Sequence, residues 1–267
     1  MMNHAQTAGP ARNGVTKPAR VRLRVMEGNR REMNDANWMK EEMDARARFR
    51  AELSAQPQEH KALMVCRYAQ LNRYASKGQI VMAGSSLMED FPVAELMPLS
   101  SDGLRIYNRG IGGMISSELI VSIETLILDL EPSRLFINIG SNDIAAEGFL
   151  PERLIGNYEE ILARVRERVP DCLIHLMAYY PVNADEAFPG IDDTARAGMF
   201  AHRTNAAIQA ANRAVESLAA RSGCLFVDAN RGLADECGNL RRAYTLEGIH
   251  MYPEAYAVIL DNLRPYL

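Results

Sequence analysis

The sequence predicts an α/β protein: a parallel sheet of about five strands with helices on both faces. Five short β-type runs, at 79–83, 104–107, 135–139, 173–178 and 224–227, are separated by segments of helical periodicity. Alternation of that kind implies right-handed crossovers, which place helices over both faces of a parallel sheet. The size agrees, because 267 residues of which 48% are hydrophobic suffice for one large core plus an appendage.

The elements follow in order. Residues 1–34 mix Gly9, Pro10, Gly14, Pro18 and Gly28 with scattered arginines and show little apolar periodicity, so they read as a disordered basic tail. A helical extension is expected over 35–78. Met39, Met43, Phe49 and Leu53 recur at helical spacing; a second helix carries the stripe Leu63, Met64, Tyr68 and Leu71, with Gly78 placed as its left-handed cap. These helices offer a surface for packing on the domain or for homo-oligomerisation. The main domain then spans 79–267. Its helices are marked by Leu119 to Leu130 ahead of Pro132, by Leu154 to Val165 after Pro151, by one long segment from 194 to 222 stopped at Gly223, and by a last helix starting near Pro253.

Charge and cysteine usage narrow the function classes. The formal net charge is −4, yet residues 1–34 alone hold seven Lys/Arg against Glu27 and Glu32, which leaves the remainder strongly acidic. An acidic domain is a poor non-specific nucleic-acid binder. Cys66, Cys172, Cys224 and Cys237 are far apart and form no Cys-x-x-Cys pair, so neither a metal site nor a disulfide framework is expected, and no cofactor is implied. With no apolar run long enough to span a bilayer and no secretory-type leader, a reduced, cytoplasmic protein is the simplest expectation.

Four short segments carry the chemistry: Gly84-Ser85-Ser86-Leu87, Asn108-Arg109-Gly110-Ile111-Gly112-Gly113, Gly140-Ser141-Asn142-Asp143 and Glu247-Gly248-Ile249-His250. The first three follow predicted strands, so they collect at one edge of the sheet. Ser86 stands where strand turns into helix, beside backbone N–H groups that have no intrahelical partner. A serine hydroxyl is a weak nucleophile until a base takes its proton, and His250 is the best-placed imidazole. Glu247, three residues earlier, is positioned to hold the other ring nitrogen. The Ser86 and Gly113 N–H groups and the Asn142 amide are candidate oxyanion donors. Asn142 and Asp143 also suit plain helix capping. The segment containing Tyr180 and Asn183 leaves the fourth strand at the same edge, where it would wall a substrate pocket or simply pack as a loop. His175 and His202 read as structural, in a strand and a helix respectively.

Competing motifs fail. Gly110-Ile111-Gly112 lacks the third glycine of a dinucleotide fingerprint, since Ile115 stands there. Met88 occupies the last position of a Gly-x-Ser-x-Gly elbow.

Taken in order, the four segments resemble the blocks of the GDSL-type esterases of the SGNH hydrolase superfamily over roughly 79–266. The resemblance implies a flavodoxin-like three-layer α/β/α sandwich and metal-free hydrolysis of an acyl ester. It places the nucleophile on Ser86, the block-two glycine on Gly113, the block-three asparagine on Asn142 and the base on His250. Two departures stand out: Ser85 replaces the family's aspartate, and Glu247 replaces the triad aspartate. The expected activity is a serine esterase for short-chain or carbohydrate-type O-acyl esters. An acyltransferase using the same nucleophile, and a non-catalytic binding module of the same fold, are the alternatives.

Overall fold

A computed structural model describes residues 57–267. The expected tail and the helix over 35–53 lie outside the described residues. The chain forms α1 (Pro57–Asn72), β1 (Ile80–Gly84), α2 (Ser86–Glu89), α3 (Val93–Leu96), β2 (Ile106–Gly110), α4 (Ser116–Val121) and α5 (Ile123–Leu126). Then come β3 (Arg134–Asn138), α6 (Ser141–Ile144), α7 (Pro151–Arg168), β4 (Leu173–Met177), α8 (Asp193–Phe200), α9 (Asn205–Arg221), β5 (Leu225–Val227) and α10 (Pro253–Leu263).

The five strands pair in parallel in the order β2-β1-β3-β4-β5. β1 is buried at every residue, and the inner strands β3 and β4 are buried along nearly their whole length. Continuous apolar runs are what a sheet covered on both faces demands. Right-handed crossovers put α2, α3 and α10 over one face and α4, α5, α7 and α9 over the other. On the first side Tyr256 of α10 stacks on Phe91 and donates its hydroxyl to the Leu87 carbonyl. His175 lies flat on Phe136, where burial lowers its pKa, so it is a packed core ring.

Strand order reverses between β1 and β3, and a crevice opens at such a switch point beyond the carboxyl ends of the strands. Register makes that edge level: Gly84 pairs with Gly110 on one side and with Asn138 on the other. Two of these residues are glycine for steric reasons. A Cβ on Gly84 would lie 2.4 Å from the Asn138 carbonyl oxygen, and one on Gly110 would lie 2.1 Å from the Glu89 nitrogen. Short α2 therefore sits directly on the strand ends.

Several helix expectations are corrected. The 119–130 segment is not one helix: it divides at Ser122 into α4 and α5 and ends in a 3-10 turn at Leu128–Leu130. The 194–222 segment divides into α8 and α9 because Thr204 starts a new helix, its hydroxyl accepting from the Ala207 N–H. His202 falls in that break and is exposed. α1 ends at Asn72, six residues before Gly78, and its inward face is not the full expected stripe, since Leu63 and Leu71 are exposed. Polar ties hold α1 to the domain instead: Tyr68 donates to the Gly110 carbonyl, Asn72 meets Arg109, and Lys61 pairs with Glu118.

No helix among the described residues is long and apolar enough to cross a membrane.

Candidate active site

Ser85 and Ser86 form the turn out of β1. Ser85 is extended and buried, and its carbonyl accepts from the Met88 and Glu89 N–H groups, which closes the first turn of α2. Ser86 is the first residue of that turn, so its N–H is one of the donors a helix start leaves without an internal acceptor. Its Oγ lies 3.0 Å from His250 Nε2.

His250 and Glu247 belong to a tight loop closed by pairing of Thr245 with Met251. Thr245 is wholly buried; its hydroxyl donates to the His250 carbonyl at 2.8 Å and accepts from the Gly248 N–H at 2.8 Å. Gly248 takes φ +95°, and a Cβ there would come within 2.3 Å of the Asn183 carbonyl oxygen. The loop is thus folded back upon itself and pressed against its neighbour. That turn presents Glu247 Oε1 to His250 Nδ1, and the same oxygen accepts from the His250 backbone N–H at 3.3 Å. Ser86, His250 and Glu247 form one hydrogen-bonded chain.

The second and third blocks meet next to it. Gly112 donates its N–H to Glu89 Oε2 at 2.7 Å, which holds the glycine turn against α2. Gly113 follows with φ +71°, and its N–H has no partner among the described residues. Asn142, in the first turn of α6, donates from Nδ2 to the Met114 carbonyl at 3.0 Å, so the two blocks touch through the residue after Gly113. Asp143 does not cap its own helix. It accepts from the Ser116 N–H at 3.0 Å and from the Ser116 hydroxyl, tying α6 to the start of α4.

Tyr180 and Asn183 are inside the protein, packed in the manner of the loop alternative rather than that of a pocket wall. Asn183 is fully buried; its side-chain Nδ2 donates to the Leu240 carbonyl and to Glu186, and its side-chain Oδ1 accepts from the Glu186 N–H. Its own backbone N–H donates to the Gly248 carbonyl at 2.8 Å, so it supports the His250 loop from behind. Tyr180 is buried, and burial raises its phenol pKa.

Three residues at the site have no signal in the sequence motifs. Tyr158 and Tyr179 both donate to the Ile139 carbonyl, at 2.8 and 2.7 Å, and brace the strand end ahead of Asn142. Burial pushes the Tyr158 phenol up to about 12 and the Tyr179 phenol well above its ordinary range, so both remain neutral donors. Arg203 donates from Nη2 to Asn142 Oδ1 at 2.9 Å and from Nε to the Ser141 carbonyl at 3.2 Å. It is buried, which lowers its pKa, while the Glu247 carboxylate acts in the opposite sense. Guanidinium stays charged throughout the working range.

An all-parallel sheet in this order, flanked by helices and carrying its serine, glycine and asparagine loops on one edge, is the fold of the SGNH-type hydrolases. The GDSL-like lipase/acylhydrolase family model matches residues 91–258, and the chain belongs to that family. It is accordingly a carboxylic ester hydrolase. The match begins after Ser86 and does not include the Gly84–Leu87 turn. No curated relative matches the chain. Among solved structures, a Streptococcus pneumonia protein bearing the name of platelet activating factor is 26% identical, with a TM-score of 0.71 over 82% of this chain and 98% of that one. A GDSL-like lipase from Bacteroides thetaiotaomicron is 20% identical, with a TM-score of 0.61 over 76% of this chain and 96% of that one. An acetylxylan esterase from Geobacillus stearothermophilus is 17% identical, with a TM-score of 0.54 over 71% and 94%.

Proposed function

We propose that the protein is a serine esterase in which Ser86 is the nucleophile, His250 the general base and Glu247 the residue that orients it. The observation that carries this reading is the 3.0 Å approach of His250 Nε2 to Ser86 Oγ, with Glu247 on the opposite ring nitrogen. That contact fixes the tautomer: Nδ1–H donates to the carboxylate, which leaves Nε2 as the acceptor for the serine proton.

Ser86 Oγ attacks the ester carbonyl carbon while its proton moves to His250 Nε2. The carbonyl oxygen becomes an oxyanion held by the N–H groups of Ser86 and Gly113 and by the Asn142 amide. The C–O bond to the alcohol then breaks, and His250 returns the proton to the leaving oxygen. Water, deprotonated by His250, attacks the acyl-serine; collapse releases the carboxylic acid and restores Ser86. Glu247 stabilises the imidazolium formed in each half.

The favoured substrates are short-chain or carbohydrate-type O-acyl esters, supported by the acetylxylan esterase among the structural neighbours. Turnover of p-nitrophenyl esters from acetyl to long acyl, beside an acetylated xylo-oligosaccharide, tests both claims. A fluorophosphonate probe followed by peptide mapping should label Ser86, and Ser86→Ala should lower turnover by roughly a thousandfold or more. Label on Ser85, or turnover that survives Ser86→Ala, sinks the assignment.

A further inference from the structure

Asn142 can serve an oxyanion only if the amide nitrogen, not the amide oxygen, faces the crevice. The two ends of an asparagine side chain have nearly the same shape, so shape alone does not choose between them; the partners must. Here one end faces Arg203, which has donors and no acceptor, and the other faces the Met114 carbonyl, which has lone pairs and no donor. Turning the amide over would set N–H against guanidinium N–H and oxygen against oxygen.

Resting on the Ser86 reading above, we infer that Arg203 is a positioning residue for the oxyanion hole: it holds Asn142 Oδ1, sets the polarity of the amide and leaves the second N–H of Nδ2 for the developing oxyanion. The bond from Arg203 Nε to the Ser141 carbonyl holds the backbone of the same turn, so the guanidinium grips both the side chain and its support. Arg203 is itself fixed from behind, because it sits in the break between α8 and α9, immediately before the Thr204 cap. A flexible surface arginine could not impose an orientation. One that is only 9% exposed and makes two bonds to adjacent residues can.

The proposal predicts non-additive losses, since the role assigned to Arg203 is exercised through the Asn142 amide. Arg203→Met should lower kcat by about thirtyfold with KM within about threefold of the parent, because the interaction is realised in the transition state. Asn142→Ala should lower kcat by about a hundredfold or more. The double variant should be no slower than Asn142→Ala alone. Rates are taken per fluorophosphonate-titrated site, so loss of folded enzyme does not count as loss of catalysis. A double variant slower by the product of the single effects overturns the proposal, as does an Arg203→Met kcat within about threefold of the parent. If Arg203→Met fails to fold by far-UV circular dichroism, Arg203→Lys carries the same cycle. A lysine keeps the charge but cannot present the guanidinium fork. A kcat loss that disappears in the Asn142→Ala background supports the role, and an equal loss in both backgrounds refutes it. Ser86→Ala is measured alongside. If it abolishes turnover while the cycle is additive, only the Arg203 role fails; if turnover survives it, the site reading fails first.

Discussion

The turn that carries Ser86 and the loop that carries His250 are built by opposite means. Ser86 is placed by backbone and core: β1 is wholly buried, Gly84 and Gly110 let α2 sit on the strand ends, and no side chain caps that helix. His250 is placed by side chains: the Thr245 hydroxyl bridges the loop, Glu247 folds back on the ring, and Asn183 supports Gly248. The comparison teaches that Ser86, the proposed nucleophile, takes its position from the sheet, whereas His250, the proposed base, depends on a local polar network that could be lost without unfolding the core. The two halves should therefore respond differently to substitution.

Gly110→Ala is the strongest way to break the first half short of removing Ser86. The new Cβ would meet the Glu89 nitrogen at 2.1 Å and the Met88 carbonyl carbon at 2.6 Å, both backbone atoms, so α2 must move rather than a side chain swing away. Displacement of a reacting group by about 1 Å costs about a hundredfold in rate. Turnover per folded molecule should fall by about that factor, with a lower thermal midpoint as well. Near-parental kinetics in this variant would show that the sheet edge does not set the nucleophile.

Thr245→Val tests the second half. It keeps the volume of a buried residue and deletes the hydroxyl, leaving the Gly248 N–H and the His250 carbonyl without that partner. An unsatisfied buried group costs about 1–3 kcal/mol. We expect a roughly tenfold fall in turnover, a urea midpoint lowered in proportion, and an unchanged far-UV spectrum. A Thr245→Val enzyme with parental activity would move control of His250 to Asn183 and the core behind it.

The same contrast explains what the sequence reveals. Segments whose chemistry is local in the chain are legible: Gly84 to Leu87, Gly140 to Asp143 and Glu247 to His250 each occupy one sheet-edge loop, and alternating apolar runs locate the strands to within two residues, except at the end of β2. Residues that act across the chain are not. Arg203 meets Asn142 from 61 positions away, in the middle of an alanine-rich stretch that reads as one helix. The cue that was present is Thr204-Asn205, a capping pair that starts α9 and so exposes the break. Asn183 and Tyr180 mislead for the converse reason: a polar residue at a strand exit looks available to substrate, yet the amide of Asn183 is spent on Leu240 and Glu186. The α1 stripe misleads because Leu63 and Leu71 match helical spacing while Tyr68, Asn72 and Lys61 make the polar contacts.

Ser85→Ala should have the smallest effect, and it sharpens the comparison most. Ser85 stands beside Ser86, the proposed nucleophile, and is 1% exposed. If the nucleophile turn relied on polar side chains as the His250 loop does, deleting this hydroxyl would be costly. Its contribution to α2 is instead made by the main chain, since the Ser85 carbonyl accepts from the Met88 and Glu89 N–H groups at 3.0 and 2.9 Å, and the side chain makes no capping hydrogen bond. Alanine retains that carbonyl and introduces no steric demand. Turnover should stay within about threefold of the parent, well short of the fall by which a lost transition-state contact would be recognised. Steady-state kinetics on the p-nitrophenyl acetate used for Ser86→Ala decide it: a tenfold or larger fall in kcat would place Ser85 in the catalytic machinery and end the division between a backbone-built nucleophile and a side-chain-built base.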